Sequence, residues 1–449
     1  MSLPERIEDG RAQWRLVGSL TAIGALALID KNIVLLLVTP IKVDIGLSDT
    51  QIGLIIGLAF ALVNICASLP AGWLADRYNR KGVVAAGVLL WSAFTVGCAF
   101  SRNFVTLFLC RAGVGMSEAL IPPAAISLIR DGVTPDRRER ALSIYAMATT
   151  SGTGLALALG GLLYAWITTL DLSAVPLFRG MQPWAITLFV AGVAGMPFCL
   201  LLLSFAEPGR GRVDSAAAGP TLREAIDEMW HLRALYVPLL LFSVAQALSA
   251  MSIASWQPSF MVRKFGIGPA DVGVPTGIML MTISPVGLYL VGLLLARLRE
   301  RGKLGYGTAG SAMTLVTVPA AVALPYAPTI GWTWLCLGIF LLGSMAYLLI
   351  VSAAVSRVAT PRNVGRTMSV FLLAQAAVGS GVAPVLVPLT ATYFSGALAP
   401  ALSLLCAAYG IMALLGGVWL FRAERRWLRD TPGTIARGHR GEANLQLSV

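Results

Sequence analysis

Four charged residues fall inside stretches oily enough to be hydrocarbon: Asp30 and Lys31 in 16–39, Arg111 and Glu118 in 103–129. An ionised side chain at mid-bilayer costs roughly 2.5–3.5 kcal/mol even on the gentlest insertion scales, so such groups persist where they pair, meet water or work. Arg111 and Glu118 are seven positions apart, which puts them on one helix face about two turns, or roughly 10 Å, from each other. That is too far for a direct bond. Each needs another partner, and Asp30 and Lys31 are on offer. The chemistry such a set allows is a buried network in which Glu118, or after it Asp30, takes up and releases a proton while Arg111 holds or replaces it. The competing reading is a structural ion pair pinning two helices, with Lys31 snorkelling its ammonium outward.

The elements that position these residues follow from composition. Apolar residues make up 57% of the 449 and charged ones 12%, against about 25% charge in a soluble domain, and mean hydropathy is +0.76. This is an integral membrane protein, and its length is best read as spans of about 20 apolar residues each. Twelve are marked: 16–39, 51–75, 82–101, 103–129, 141–165, 182–205, 234–262, 270–296, 305–327, 331–356, 367–392 and 398–421. The fold class is therefore all-α with twelve transmembrane helices.

Charge distribution orients them. The net charge of +12 is not a nucleic-acid footprint, because the positive residues gather in short gaps between apolar runs. With both termini cytoplasmic, 27 of the 34 Lys and Arg lie on the cytoplasmic side and 5 on the other, with Lys31 and Arg111 in spans. That asymmetry fits the positive-inside rule and would invert beyond any missed span. The expected location is the cell inner (plasma) membrane. The first span, preceded by acidic residues and no small-residue cleavage site, is expected to be a retained anchor.

The hydrophilic stretch 206–233 divides the spans six and six. Its start reads as a flexible linker, and TLREAIDEMWHLRAL as a short interfacial helix. The expected domains are an N-terminal lobe 1–205, this linker, a C-terminal lobe 234–422 and a cytoplasmic tail 423–449. Internal repeats agree. Gly152-x-Gly154 recurs at Gly379 and Gly381, offset 227; Pro135 and Arg140 recur as Pro361 and Arg366, offset 226; Gly72-x-Leu74 recurs at Gly292 and Leu294, offset 220. A duplicated six-helix unit keeps its orientation, which predicts parallel repeats about an axis along the membrane normal, with a cavity between lobes.

The segment 72–81, GWLADRYNRK, resembles the signature loop of the major facilitator superfamily, Gly-x-Leu-Ala-Asp-Arg-x-Gly-Arg-Arg. The resemblance implies a cytoplasmic gate built on Gly72, Asp76, Arg77, Arg80 and Lys81. In it Asp76 engages a facing helix end and its Arg neighbours, as a carboxylate does favourably at a helix N-terminus. The second copy has Ala296 in place of the Asp. Within the superfamily the chain resembles spinster-like transporters. The matching segments are LIDK at 28–31, PIKVDIGLSDTQIGL at 40–54, RAGVGMSEA at 111–119, DGVTPDRR at 131–138 and WQPSFMVR at 256–263. Lys31, Ser117 and Asn64 depart from the family's Arg, Gly and aromatic residue. The resemblance implies alternating access, a lysolipid-like or other amphipathic anionic substrate, and a monomer.

The second half has no Asp, Glu, Lys or Arg well inside a span, and both histidines, His231 and His439, lie outside the membrane. Proton coupling is thus expected on Asp30, Lys31, Arg111 and Glu118. Trp256, Gln257, Met261 and Tyr347 are candidates to line a cavity, packing being the alternative for each. The six cysteines sit in apolar runs without a C-x-x-C and read as small hydrophobes. There is no nucleophile–base set, metal cluster or phosphate-binding Gly-rich loop, so no enzyme and no cofactor is expected. Partners are the substrate, protons and the bilayer, not nucleic acid. Two alternatives remain: a proton symporter of small organic acids (sugar acids, aromatic carboxylates), and a transporter-shaped receptor that binds without moving its ligand.

Overall fold

The computed structural model describes residues 10–172, 175–210, 222–301 and 303–430. The central linker residues 211–221 and the tail beyond 430 lie outside them. Among the described residues, twelve helices are long and apolar enough to cross a membrane, as the hydropathy pattern predicts. They are α1 Gly10–Ile45, α2 Asp49–Arg77, α3 Arg80–Ala99, α4 Phe104–Gly132, α5 Pro135–Thr169, α6 Pro183–Ser204, α7 Arg233–Phe265, α8 Pro269–Glu300, α9 Tyr306–Tyr326, α10 Ile330–Val358, α11 Val364–Thr392 and α12 Leu398–Arg429. A further short helix, Leu222–His231, lies in the linker.

Local chemistry sets the borders. Gly46 takes a left-handed φ of 74° to end α1. Ser48 and Gln51 then form a reciprocal capping box that starts α2. Asn79, Asn103 and Thr329 accept backbone N–H groups at the starts of α3, α4 and α10. Two helices are locally unwound into π geometry, α2 over Ile55–Ala59 and α11 over Ala376–Val382. Such bulges tend to sit where helices do more than span.

Contacts group the chain into two compact units. The first joins Met1–Ala218 to Met251–Thr282 and Ala376–Ala401, so that parts of α7, α8 and α11 pack with α1–α6. The second comprises Gly219–Ala250, Ile283–Gln375 and Leu402–Val449. The first unit has a core around Leu16, Leu20, Val88, Trp91, Leu128 and Ile129. The second has one around Phe242, Tyr306, Ile350, Val351 and Phe371.

Glycines from the repeated G-x-G pattern take part in two close backbone approaches in the first unit. A Cβ on Gly154 of α5 would stand 2.7 Å from the Gly277 carbonyl of α8, and one on Gly57 of α2 would stand 2.8 Å from the Gly381 carbonyl of α11. Small residues let backbones meet in lipid, where packing rather than the hydrophobic effect drives association.

Candidate functional site

Helices α1, α3 and α4 bring the four membrane charges together. Asp30 is 2% exposed, and its Oδ2 accepts a hydrogen bond from Thr95 Oγ1 of α3 at 2.6 Å. Arg111 of α4 is equally buried and donates through Nη2 to the Lys31 carbonyl at 3.1 Å. The Lys31 ammonium lies 4.4 Å from the centre of the Phe60 ring of α2, and Arg111 Cζ lies 5.7 Å from the same ring. Phe60 thus carries two cations on its π surface. Glu118 is buried within electrostatic reach of Lys31, Asp30 and Arg111.

The network is incompletely satisfied. Asp30 Oδ1, Arg111 Nε and Glu118 Oε1 are buried without a hydrogen-bond partner. Buried polar groups are nearly always paired, and one left over in a charged cluster has hydrogen-bonding capacity to spare. Surrounding polar contacts fix the frame. Asn64 donates to the Gly115 carbonyl at 2.9 Å, and Asn32 to the Leu28 carbonyl at 2.9 Å. Ser117 bonds back to the carbonyls of Gly113 and Val114. A Cβ on Gly115 would stand 2.5 Å from the Phe60 carbonyl, so this glycine permits α4 to back onto α2.

The signature-loop residues separate into two groups. Asp76 and Arg77 are exposed; Asp76 makes no ion pair among the described residues, and Arg77 stacks 5.4 Å from the Trp73 ring. Arg80 is 1% exposed and saturated. It pairs with Asp131 of α4 and with Glu207 past the end of α6, and it donates to Ser127 Oγ and the Pro208 carbonyl. Lys81 donates to the Phe205 carbonyl at 2.5 Å. Gly72 is half-buried.

Of the four cavity candidates, Trp256, Gln257 and Met261 lie on α7 in the first unit, where Gln257 and Met261 touch, and Tyr347 lies in the second. Trp256 is fully buried and donates to the Pro384 carbonyl of α11 at 2.9 Å. Gln257 is buried between Met261 Sδ and Thr276 Oγ1, at 2.8 and 3.4 Å. Tyr347 packs in the core of the second unit.

Sequence reasoning missed Thr95, Phe60, Asp131 and Glu207 as partners. It also placed no acid well inside a span of the second half. Helix α12 runs on past 421 with helical spacing of Leu420, Ala423 and Trp427, and this continuation carries Glu424 at 3% exposure. Its Oε1 accepts the Gly307 N–H at 2.9 Å. Among the described residues, no group of three or more His, Cys, Asp or Glu side chains could hold a metal ion.

Comparisons with known proteins bear on this arrangement. The model of the Major Facilitator Superfamily matches residues 20–384. An MFS-type efflux pump of Mycolicibacterium smegmatis is 31% identical over 94% of this chain and 94% of its own. Protein spinster homolog 1 of Rattus norvegicus is 31% identical over 55% of this chain, an alignment spanning 46% of that protein. A crystal structure of a bacterial homolog of the human lysosomal transporter Spinster, inward-facing and unoccupied, covers 94% of this chain and all of its own at a TM-score of 0.82 and 23% identity.

Proposed function

Because the chain belongs to the Major Facilitator Superfamily and is spinster-like, we propose that it is a proton-coupled secondary transporter moving an amphipathic organic anion across the membrane by alternating access. It is a transporter and not an enzyme; coupling and substrate class are what the proposal adds. The observation that carries it is the unpartnered Glu118 Oε1 beside Lys31, Arg111 and Asp30. With Glu118 ionised, its charge offsets the two cations gathered at Phe60. A proton on Glu118 removes that offset, and the cations then favour an external anion such as the phosphate or carboxylate head of a lysolipid. Proton and anion thereby support each other's binding, which is a reciprocal coupling of two sites.

The expected frame is two six-helix lobes, 1–205 and 234–422, joined by the linker 206–233, in a monomer in the cell inner membrane. The Lys and Arg asymmetry favours cytoplasmic termini. The signature loop and Arg80 would close that side, and Asp76, being exposed, is free to engage a helix end in another conformation. Small carboxylates could use the same two cations, which keeps a symporter of sugar acids or aromatic carboxylates as the second reading.

The test is pH-driven accumulation in reconstituted vesicles. Glu118→Gln should abolish accumulation while leaving thermal stabilisation by the substrate class measurable. A variant that accumulates as the parent does removes the coupling proposal. Stabilisation of purified protein by lysolipids but not small carboxylates, at two pH values, supports the amphipathic substrate. Binding without accumulation in the parent favours a receptor.

A further inference from the structure

Asp49 opens α2 and is gripped from two other helices. Lys42, near the end of α1, donates to Oδ1 at 2.8 Å. Arg263, near the end of α7, spans both oxygens, with Nη2 to Oδ1 at 2.7 Å and Nη1 to Oδ2 at 3.0 Å. One turn further into the helices, Thr39 Oγ1 of α1 and Ser259 Oγ of α7 share a hydrogen bond of 2.9 Å. Deeper still, Trp256 of α7 holds the Pro384 carbonyl, and Gly57 and Gly154 give the backbone approaches to α11 and α8 described above. All of these residues lie in the first compact unit. At this end of the helices, α1, α2 and α5 are sealed against α7, α8 and α11.

The seal is layered by chemistry. The deeper contacts are neutral and short-ranged, so they part without stranding a charge. The outermost contact is a bidentate guanidinium–carboxylate pair, which fixes geometry as well as energy. Its side chains are 28% and 17% exposed, so separation returns Arg263 to water rather than to oil. Lys42, on α1, stays with Asp49 when α7 leaves. The carboxylate is then never left bare, which is the usual reason a buried ion pair resists breaking.

We propose that Asp49, Lys42 and Arg263 form the lock of the gate facing away from the cytoplasm, with Arg263 as the moving half and Lys42 as the group that keeps Asp49 compensated while the gate is open. This rests on the alternating-access reading and assigns it a gate distinct from the proton site. These are positioning residues: they set which face is open, not what is bound.

The test uses the full-length protein in intact cells. A reporter, Ser259→Cys, one turn behind the lock, is treated from outside with a membrane-impermeant maleimide, with the parent as background for the native thiols. In the reporter alone labelling is expected to be slow. Adding Asp49→Asn or Arg263→Gln should raise the rate about tenfold, within the usual range of coupling between two states, and Asp49→Glu should restore protection. Arg263→Gln leaves the Lys42–Asp49 pair intact and carries the test if Asp49→Asn does not reach the membrane. Equal labelling rates in the reporter and in Arg263→Gln overturn the lock, as does labelling only from the cytoplasmic face. Glu118→Gln separates the two ideas: lost coupling there leaves the labelling result standing, whereas unchanged labelling alongside normal uptake sinks the lock alone.

Discussion

At the start of α3, Glu207 Oε1 accepts the Arg80 N–H at 3.0 Å; at the start of α9, the third helix after the linker, Glu424 Oε1 accepts the Gly307 N–H at 2.9 Å. Both acids arrive from the end of the sixth helix of their half, one just beyond α6 and the other near the end of α12. What surrounds them differs. In the first region the Arg80 side chain fills the space and binds Asp131 as well. In the second the equivalent space is backbone: a Cβ on Gly307 would stand 2.3 Å from the Phe421 nitrogen. Tyr306 instead donates to the Ala353 carbonyl at 2.9 Å and accepts from Arg299 at 3.3 Å. A carboxylate on free N–H groups at a helix start is therefore common to both regions, as the helix dipole favours, while the buried guanidinium is an addition of the first. Glu424 is thus the counterpart of Glu207, and it does not stand in for the loop Asp that Ala296 replaces.

Removing the addition should have the largest effect. Among the described residues, Arg80→Ala leaves Asp131 with only the exposed Arg130 as an ion-pair partner and Glu207 with none, and breaking a buried pair from one side costs about 3–5 kcal/mol. The expected outcome is a large fall in the thermal unfolding midpoint in detergent. Arg80→Lys should recover only part of it, because an ammonium cannot reach four acceptors at once. A midpoint within a degree of the parent would show that the guanidinium is dispensable and that the two regions are equivalent after all.

The shared feature should register less strongly. Glu424→Ala removes the acceptor from the start of α9 and is expected to cost about 1–2 kcal/mol, the scale of a lost helix cap. Glu424→Gln, which still accepts through its amide oxygen, should cost less. Equal losses from Gln and Ala would mean that charge rather than the hydrogen bond matters there. A loss as large as that of Arg80→Ala would erase the contrast.

The helices were legible because hydropathy and the placement of Lys and Arg are properties of local sequence, and the oil-stranded charges were legible for the same reason. Their partners were not. Thr95 reaches Asp30 across 65 positions, and Glu207 reaches Arg80 across 127; nothing in a neutral threonine or a loop glutamate announces such a contact. Glu424 was missed because the apolar window closes at 421 although helical spacing continues, and a buried acid near a helix end looks like tail charge. Trp256 and Gln257 suggested a cavity by type, yet aromatic and amide side chains also fill helix crossings. Their hydrogen bonds to Pro384 and Thr276 reach other helices, which residue type alone does not announce.

A third carboxylate sharpens the comparison at its exposed end. Glu228 of the linker helix accepts the Thr360 N–H at 2.7 Å, the Thr360 hydroxyl at 2.9 Å and the Asn363 amide, just before α11 begins. Partial burial pushes its carboxyl up, but these three donors outweigh burial and hold it below the usual glutamate range. A depressed acid stabilises the fold above its unfolded pKa and loses that stabilisation as pH falls through the lower folded value. The docking of the linker helix should therefore hold at pH 7 and weaken below the ordinary glutamate pKa of about 4.3. Hydrogen exchange over Leu222–His231 checks this, with faster exchange expected at acid pH after correction for the intrinsic rate. Asn363→Ala should move the onset to higher pH, because it removes one donor to the ionised form. The effect should be the smallest of the three, since the group is half-exposed and water competes for it. An onset that Asn363→Ala leaves in place would show that Thr360, through its N–H and hydroxyl, is enough to hold this carboxylate.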